Sequence, residues 1–315
     1  MRTPRVIAGA ILAAAVAGLA AATAGATPAL AHSGTGSLSG AVRDTRGAVV
    51  ADAEITVYPP DVSGNYVAKV RTDSAGKFKV AGLEKGSYKL LINLGGWYEW
   101  APGRVSSPDD ARAYPVRPGH DTVAGSTVSA AGVITGKVEA TSGGPAAGVQ
   151  VSVDDDSTAS TWSATTAADG TYRLKVRPGT EYVVGFKDGN FQQFAPQTVN
   201  RDQASRFLVR SGHTVRVDDR LLPAASLNGR LVDAAGAPVV GAQVHFVTMN
   251  AGDYATTTDA DGRYSFVKQA PGDIKVYFVT ADGVTQWAYQ ASGYDEAATF
   301  TLALGQTTTV DDQLL

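Results

Sequence analysis

One short motif occurs three times in this chain, at intervals close to the length of a domain. It covers residues 38–42 (LSGAV), 134–138 (ITGKV) and 227–231 (LNGRL), and its central glycines are 96 and 93 residues apart. Solenoids and propellers repeat every ~20 to 50 residues, which is much shorter. An interval near 95 residues is long enough for an independent domain. The repeat therefore predicts three tandem domains.

The first 31 residues have the pattern of a signal peptide. Arg2 and Arg5 form a basic start, residues 6–22 are apolar and rich in alanine, and Ala29–Ala31 provides a small-x-small cleavage site. We expect cleavage after Ala31 and a secreted, extracellular product. The alternative is an uncleaved membrane anchor, since the run is long enough to span a bilayer, although alanine and glycine partition weakly into lipid.

The composition of the remaining chain excludes several classes of partner and site. The chain has no cysteine, so disulfides and thiolate metal sites are impossible. Without the two signal-peptide arginines, 25 basic residues face 30 acidic ones, and this mild acidity without basic clusters argues against nucleic acids and anionic membranes. No later stretch is apolar enough to span a bilayer. We expect a monomer without membrane contact after signal cleavage.

Within each copy the pattern is all-β. Short apolar or alternating runs such as residues 55–58 and 149–153 predict half-buried strands. Asp-Gly-type turns between threonine and an aromatic residue, at 72–78, 166–172 and 258–264, predict hairpins. About seven short strands per copy indicate a seven-stranded, Greek-key-like β-sandwich. The predicted modules cover residues 34–129, 130–223 and 224–315.

These residues resemble the bacterial carboxypeptidase regulatory-like domain. The pattern G-x-V-x-D-x-x-G-x-P-V-x-G-A-x-V is nearly complete in the third copy, from Gly229 to Val244. The first copy has Val49 in place of the proline, and the second has Glu139 in place of the aspartate. The resemblance implies a transthyretin-like (prealbumin-like) sandwich, related in shape to collagen-adhesin B-type and starch-binding-like modules, a carbohydrate-binding-like fold. It is specific for fold and weak for function.

Polar clusters give no sign of a catalytic or metal site. His120 and His213 follow glycines in matching turns, which favours a turn cap over proton transfer. The segment 259–262 (DADG) begins like a calcium loop, but the other copies lack one of its acids, so a hairpin turn explains all three. We expect the acidic run 154–156 to be a solvated loop. The sequence predicts no catalytic residue, no metal and no cofactor.

Aromatic clusters at comparable places in the three copies are the best candidates for ligand contact. Flat aromatic rings pack on the apolar face of a sugar, while amides such as Gln192, Gln193 and Gln286 would bind its hydroxyls. The alternative is that these rings belong to the core, because core positions must repeat whereas binding positions need not. The candidate ligand-binding residues are Trp97, Tyr98, Trp100, Phe191, Phe194, Trp287 and Tyr289.

Three similar modules account for the whole mature sequence, which leaves no segment for a catalytic domain. We therefore expect a secreted, non-catalytic protein that acts as an extracellular structural or adhesive scaffold, with a cell-surface or matrix protein as a possible partner. The alternative is a protein that binds a starch-like polysaccharide, accessory to a secreted glycoside hydrolase such as an α-amylase. The short segments 126–131 and 222–225 predict a semi-rigid, extended chain of modules.

Overall fold

The computed structural model describes residues 34–249 and 252–315, and their regular secondary structure is almost entirely β-strand. They form three tandem β-sandwiches, which we call modules 1, 2 and 3, and each module has a separate apolar core. The predicted signal peptide, residues 1–31, lies outside the described residues. In the described part of the chain, no helix is long and apolar enough to cross a membrane.

Each module contains nine strand segments. Module 1 is built from β1 (Gly36–Asp44), β2 (Glu54–Tyr58), β3 (Ala68–Arg71), β4 (Lys77–Leu83), β5 (Gly86–Asn93), β6 (Tyr98–Trp100), β7 (Tyr114–Val116), β8 (Asp121–Val123) and β9 (Ser126–Val128). Module 2 is built from β10 (Gly132–Glu139), β11 (Gln150–Asp155), β12 (Ser160–Thr165), β13 (Thr171–Val176), β14 (Thr180–Asp188), β15 (Phe191–Phe194), β16 (Phe207–Val209), β17 (Thr214–Arg216) and β18 (Asp219–Arg220), with a 3₁₀ turn at Arg201–Gln203.

Module 3 repeats the same order. It is built from β19 (Ala225–Val232), β20 (Gln243–Thr248), β21 (Asp253–Thr257), β22 (Arg263–Gln269), β23 (Gly272–Val279), β24 (Thr285–Trp287), β25 (Phe300–Leu302), β26 (Thr307–Thr309) and β27 (Asp312–Gln313), with a 3₁₀ turn at Ala288–Gln290.

The nine segments of a module occupy seven strand positions in two facing sheets. In module 1 one sheet has the order β4-β1-β8, and β9 continues β8 along the same edge of β1. The other sheet has the order β3-β2-β5-β6, and β7 pairs with β5 beyond β6. Modules 2 and 3 have the same topology. This agrees with the predicted seven-stranded sandwich, while the breaks in the last two strands were not predicted.

The glycine at the centre of the repeated motif lies where the closing strand is interrupted. A Cβ atom on Gly136 would lie 1.8 Å from the carbonyl oxygen of Val217, and one on Gly229 would lie 1.9 Å from that of Val310. In both modules a buried tyrosine hydroxyl donates to the same carbonyl, from Tyr172 at 2.7 Å in module 2. No side chain fits between the first strand and this break, which explains why the motif keeps glycine.

A buried threonine joins two loops in every module. The Thr258 hydroxyl accepts a hydrogen bond from Ala242 N at 2.9 Å and donates to Val239 O at 2.6 Å. Thr72 and Thr166 make the corresponding pairs of bonds in modules 1 and 2. The threonine before each predicted hairpin turn is therefore part of the core rather than of the turn.

The predicted turns are confirmed in their hydrogen bonds. The Asp259 carboxylate accepts backbone N–H bonds from Asp261 and Arg263 at 2.9 and 2.8 Å, as Asp73 does in module 1. His120 and His213 each place Nδ1 within 2.9 Å of a carbonyl oxygen two residues earlier, as expected of turn caps.

The expectation of a solvated loop at residues 154–156 was wrong for Asp155. Asp154 and Asp155 end strand β11, and the Asp155 side chain is buried. Its carboxylate accepts bonds from Ser157 N at 2.9 Å and from the hydroxyl of Thr158 at 2.9 Å. These bonds, together with the Arg177 guanidinium 3.8 Å away, compensate the burial of the carboxylate, so this acid orders the β11–β12 turn.

Candidate functional site: aromatic clusters and module junctions

The aromatic clusters follow the fifth strand segment of each module, which is β5, β14 or β23, and most of their rings are buried. Trp97, Trp100, Phe191 and Phe194 are buried, and Trp287 is half-buried. Tyr98 and Tyr289 are each 57% exposed. Of the seven candidate residues, these two tyrosines and part of Trp287 present aromatic surface to solvent.

The polar residue of each aromatic cluster makes hydrogen bonds with backbone groups of the closing strand, so these bonds are not free for a ligand. Gln193 accepts a bond from Leu222 N at 2.7 Å and donates to Arg220 O at 2.9 Å. Gln286 makes the matching pair of bonds with Leu315 N and Gln313 O. Glu99 holds the corresponding position in module 1 and accepts from Ser129 N. The expectation that Gln193 and Gln286 bind sugar hydroxyls was therefore wrong, since both side chains fix the end of the closing strand.

A buried acid on the closing strand holds the loop after the cluster in modules 2 and 3. Asp312 accepts a 2.7 Å bond from the backbone N–H of Tyr289, a residue with φ of +62°. Asp219 accepts from Gln197 N at 3.2 Å, where φ is +44°. Burial raises the pKa of Asp219. These acids stabilise a backbone conformation that residues other than glycine rarely adopt.

Module 3 carries a row of aromatic rings on the outer face of its larger sheet. His245 stacks on Tyr277 with ring centroids 4.5 Å apart, and Tyr277 lies 4.8 Å from Trp287. Burial, together with a hydrogen bond to Asp253, raises the pKa of Tyr277 to about 12. Modules 1 and 2 have Thr56, Leu91 and Trp100, or Ser152, Gly185 and Phe194, in the same three register positions. The row is therefore specific to module 3.

The junction between modules 1 and 2 is docked. The closing strand β9 ends at Val128 and β10 begins at Gly132. Trp162 of module 2 packs against its own core, and its Nε1 lies 3.4 Å from the carbonyl oxygen of Gly95 in the β5–β6 loop. A Cβ atom on Gly96 would lie 2.3 Å from the same nitrogen. Only glycine at position 96 allows the indole to approach this closely.

A second set of contacts closes the same junction. The Thr45 hydroxyl lies 3.3 Å from the Ser211 hydroxyl and accepts a bond from Ala130 N at 3.2 Å. Arg46 donates to Gly212 O at 3.3 Å. The first turn of module 1 is therefore tied both to the linker and to the last turn of module 2.

The junction between modules 2 and 3 uses the equivalent loop of the upstream module. Lys268 donates to the Asp188 carboxylate at 2.7 Å, and its carbonyl oxygen accepts from Asn190 N at 3.1 Å. The Asn190 side chain also donates to Gln269 at 3.3 Å. At both junctions the loop after the fifth strand segment contacts the following module. The β5–β6 loop contacts β12, and the β14–β15 loop contacts β22.

One position near the start of each aromatic cluster is buried in modules 1 and 2 but exposed in module 3. Trp97, Phe191 and Val284 are equivalent, since each lies two residues before the polar residue that fixes the closing strand. Trp97 and Phe191 are buried without belonging to the core clusters of their modules, whereas Val284 is 58% exposed. Trp97 lies beside Trp162 of module 2. Its burial therefore reflects the neighbouring module rather than the sandwich core.

Within residues 34–249 and 252–315, no three His, Asp or Glu side chains are arranged to hold a metal ion.

Comparison with known proteins places the chain in a family. The family described as carboxypeptidase regulatory-like domain matches residues 37–130, 133–217 and 226–315. The chain belongs to this family. The three matches agree with three tandem copies of one domain, as the sequence resemblance implied. No curated protein gives a significant match to the sequence.

Solved structures of similar proteins include two pilins. A streptococcal ancillary pilin is 12% identical with a TM-score of 0.32, over 89% of this chain and 98% of that one. The minor pilin GBS52 of Streptococcus agalactiae is 14% identical with a TM-score of 0.34, over 58% and 96%. The Bacillus anthracis TIE protein is 15% identical with a TM-score of 0.26, and the match covers 89% of this chain and half of that protein. Likeness at this level carries no argument about function.

Proposed function

We propose that this protein is a non-catalytic extracellular scaffold that holds three β-sandwich modules at fixed relative positions. The observation that carries the proposal is the docking of both junctions, each by hydrogen bonds between the upstream module and the next. Residues 129–131 and 221–224 are all that separates the closing strand of one module from the first strand of the next. Loosely tethered modules have longer linkers and few contacts between domains.

Distance measurement between spin labels tests this proposal, and the absence of native cysteine makes the labelling specific. Lys79, Arg173 and Ser265 are exposed and occupy equivalent strand positions in the three modules. Pairs of cysteines at these sites should give narrow distance distributions. A broad distribution in the unmodified junction sequence would overturn the rigid-scaffold proposal.

Two adjacent glycines provide a matched pair of junction variants. Gly96→Ala drives a methyl group into Trp162 and should broaden the distance between labels at positions 79 and 173. Gly95→Ala introduces the same kind of strain, since both glycines have φ in the left-handed region, but its Cβ meets no atom within 4 Å. It should leave the distance unchanged.

The extracellular location rests on the signal-peptide pattern of residues 1–31. N-terminal sequencing of protein recovered from culture medium should begin at His32. Retention of the intact N-terminus in the membrane fraction would instead favour the uncleaved anchor.

A further inference from the structure

The junction between modules 1 and 2 encloses a cleft of about 240 Å³. Three aromatic side chains line it, Trp97 and Tyr98 from module 1 and Trp162 from module 2. Tyr98 is exposed and Trp162 is half-buried, so both present ring surface to a ligand. Neither module alone contains this combination of rings.

The rest of the lining is rich in hydroxyl groups. Ser106, Thr158 and Ser160 face the cleft, and the hydroxyls of the last two lie 3.1 Å apart. Arg177 is the charged residue of the lining, and its guanidinium lies 3.8 Å from the buried carboxylate of Asp155. The cleft therefore contains hydroxyl groups that can donate and accept hydrogen bonds. It also contains the Arg177 cation, whose charge is partly balanced by Asp155.

One buried donor in the lining lacks an acceptor. The Trp97 indole N–H has no hydrogen-bond partner among the described residues, although its nitrogen is fully buried. Buried polar groups in folded proteins nearly always have a partner. Because this nitrogen is buried, Trp97 contributes ring atoms to the lining of the cleft rather than a hydrogen bond to a ligand.

We propose that this cleft binds one ring of a saccharide. The apolar face of a pyranose packs on aromatic rings, and its hydroxyl groups pair with serine, threonine and guanidinium groups. The volume lies below the ~300 Å³ at which sites for drug-sized ligands begin, which suits a single ring. Arg177 would also accept a sugar carboxylate, so neutral and uronic-acid glycans share the required chemistry.

The site differs from the aromatic clusters considered one by one. In module 2 the position of Trp97 is taken by Phe191, whose ring is buried and has no N–H, and in module 3 by the aliphatic Val284. The cleft forms only when modules 1 and 2 are docked, and in this respect it rests on the proposed function.

Binding of defined oligosaccharides to the full mature chain tests the proposal. Isothermal titration with maltohexaose, cellohexaose, xylohexaose and oligogalacturonate should identify at least one ligand. Tyr98→Ala should weaken its binding about tenfold, because one stacking face is lost. Ser106→Ala, which removes one hydroxyl of the lining, should weaken it by a smaller factor. Tyr66→Ala is the matched control, since Tyr66 is a similarly exposed tyrosine of module 1 that does not line the cleft.

Each alternative result would overturn the assignment. Binding of none of the four glycans, or binding unaffected by both Tyr98→Ala and Ser106→Ala, removes the cleft as a saccharide site. Equal loss in Tyr66→Ala would indicate general contact with exposed tyrosines. Spin-label distances between modules 1 and 2, measured on the same variants, separate loss of the site from loss of the docked junction.

Discussion

Replacing Thr258 with valine should destabilise module 3 by removing two hydrogen bonds without changing the shape of the side chain. The hydroxyl bridges Ala242 N and Val239 O, and both Thr258 and Ala242 are buried. Valine can neither donate nor accept, so the Ala242 N–H stays in the core without its side-chain acceptor.

The size of the effect follows from these contacts. Each lost hydrogen bond costs about 1 kcal/mol net, and an unsatisfied buried N–H adds about 1 kcal/mol. The extra buried methyl group of valine offsets about 0.8 kcal/mol. The free energy of unfolding should therefore fall by about 2 kcal/mol. For a domain of this size that corresponds to a fall in Tm of about 8–16 °C.

Differential scanning calorimetry of the full chain measures the shift, and hydrogen-exchange mass spectrometry assigns it to module 3. Thr257→Val is the matched control, because Thr257 is the adjacent residue but is exposed, and its hydroxyl makes no hydrogen bond in the described structure. Thr258→Ser keeps the bridge and should lose about half as much stability. If Thr258→Val and Thr257→Val lower Tm equally, the bridge does not stabilise the module and the reasoning is wrong.

Three further predictions concern the closing strand and one ion-pair cluster. Gly229→Ala should cost module 3 about 3 kcal/mol, because its Cβ would overlap the Val310 carbonyl; chemical denaturation measures this, and an unchanged midpoint would contradict it. Tyr264→Phe should cost about 1–3 kcal/mol by leaving the same carbonyl without its tyrosine donor, whereas Tyr254→Phe, whose hydroxyl makes no bond within the described residues, should cost less in the same assay. Arg201 and Arg206 lower the pKa of Asp156 to about 2, so this carboxylate adds stability that is present above pH ~4 and is lost as the pH falls through about 2. Asp156→Asn should reduce the change in unfolding free energy of module 2 between pH ~4 and ~2 by less than about 1 kcal/mol, since the ion pairs are exposed to solvent. An unchanged dependence of unfolding free energy on pH would mean that the cluster contributes nothing.

The repeated motif was sufficient to predict the sandwich, because the residues that recur are those that the backbone requires. Gly229 and Thr258 could be marked as necessary from their recurrence alone, as could the Asp259 turn. The partner of Gly229 could not, since Val310 is brought to it only by the pairing of distant strands, and the bond between Thr258 and Ala242 depends on the register of β20 and β21. The interruption of the closing strand has no local sequence signal, because it depends on this same long-range contact.

The candidate site was less predictable, because burial there depends on neighbouring elements and modules. Trp97, Trp100, Phe191 and Phe194 are buried, yet none of them belongs to the core cluster of its module, and the burial of Trp97 depends on a module that begins more than thirty residues later. The sequence around Asp155 predicts a charged loop, because it does not show that Thr180, on another strand, donates a hydrogen bond to this carboxylate. Trp162 was missed altogether. Its signal was available, since the equivalent strand positions hold Ala68 and Tyr254 and a lone tryptophan on an edge strand needs a covering partner.

The inward-facing residues of the three modules are all apolar, whereas the outward-facing residues differ from module to module. This difference limits which surfaces can bind a ligand. On the second strand of each module the inward positions are Ile55 and Val57, Val151 and Val153, or Val244 and Phe246, all buried. The outward position between them is Thr56, Ser152 or His245. Because successive side chains of a strand point to opposite faces, the core constrains the first set and leaves the second free to diverge. A ligand common to all three modules would require matching outer faces. The aromatic row of module 3 is replaced by Thr56, Leu91 and Trp100 in module 1 and by Ser152, Gly185 and Phe194 in module 2, so the faces do not match. Recognition by this protein should therefore be specific to one module or one junction.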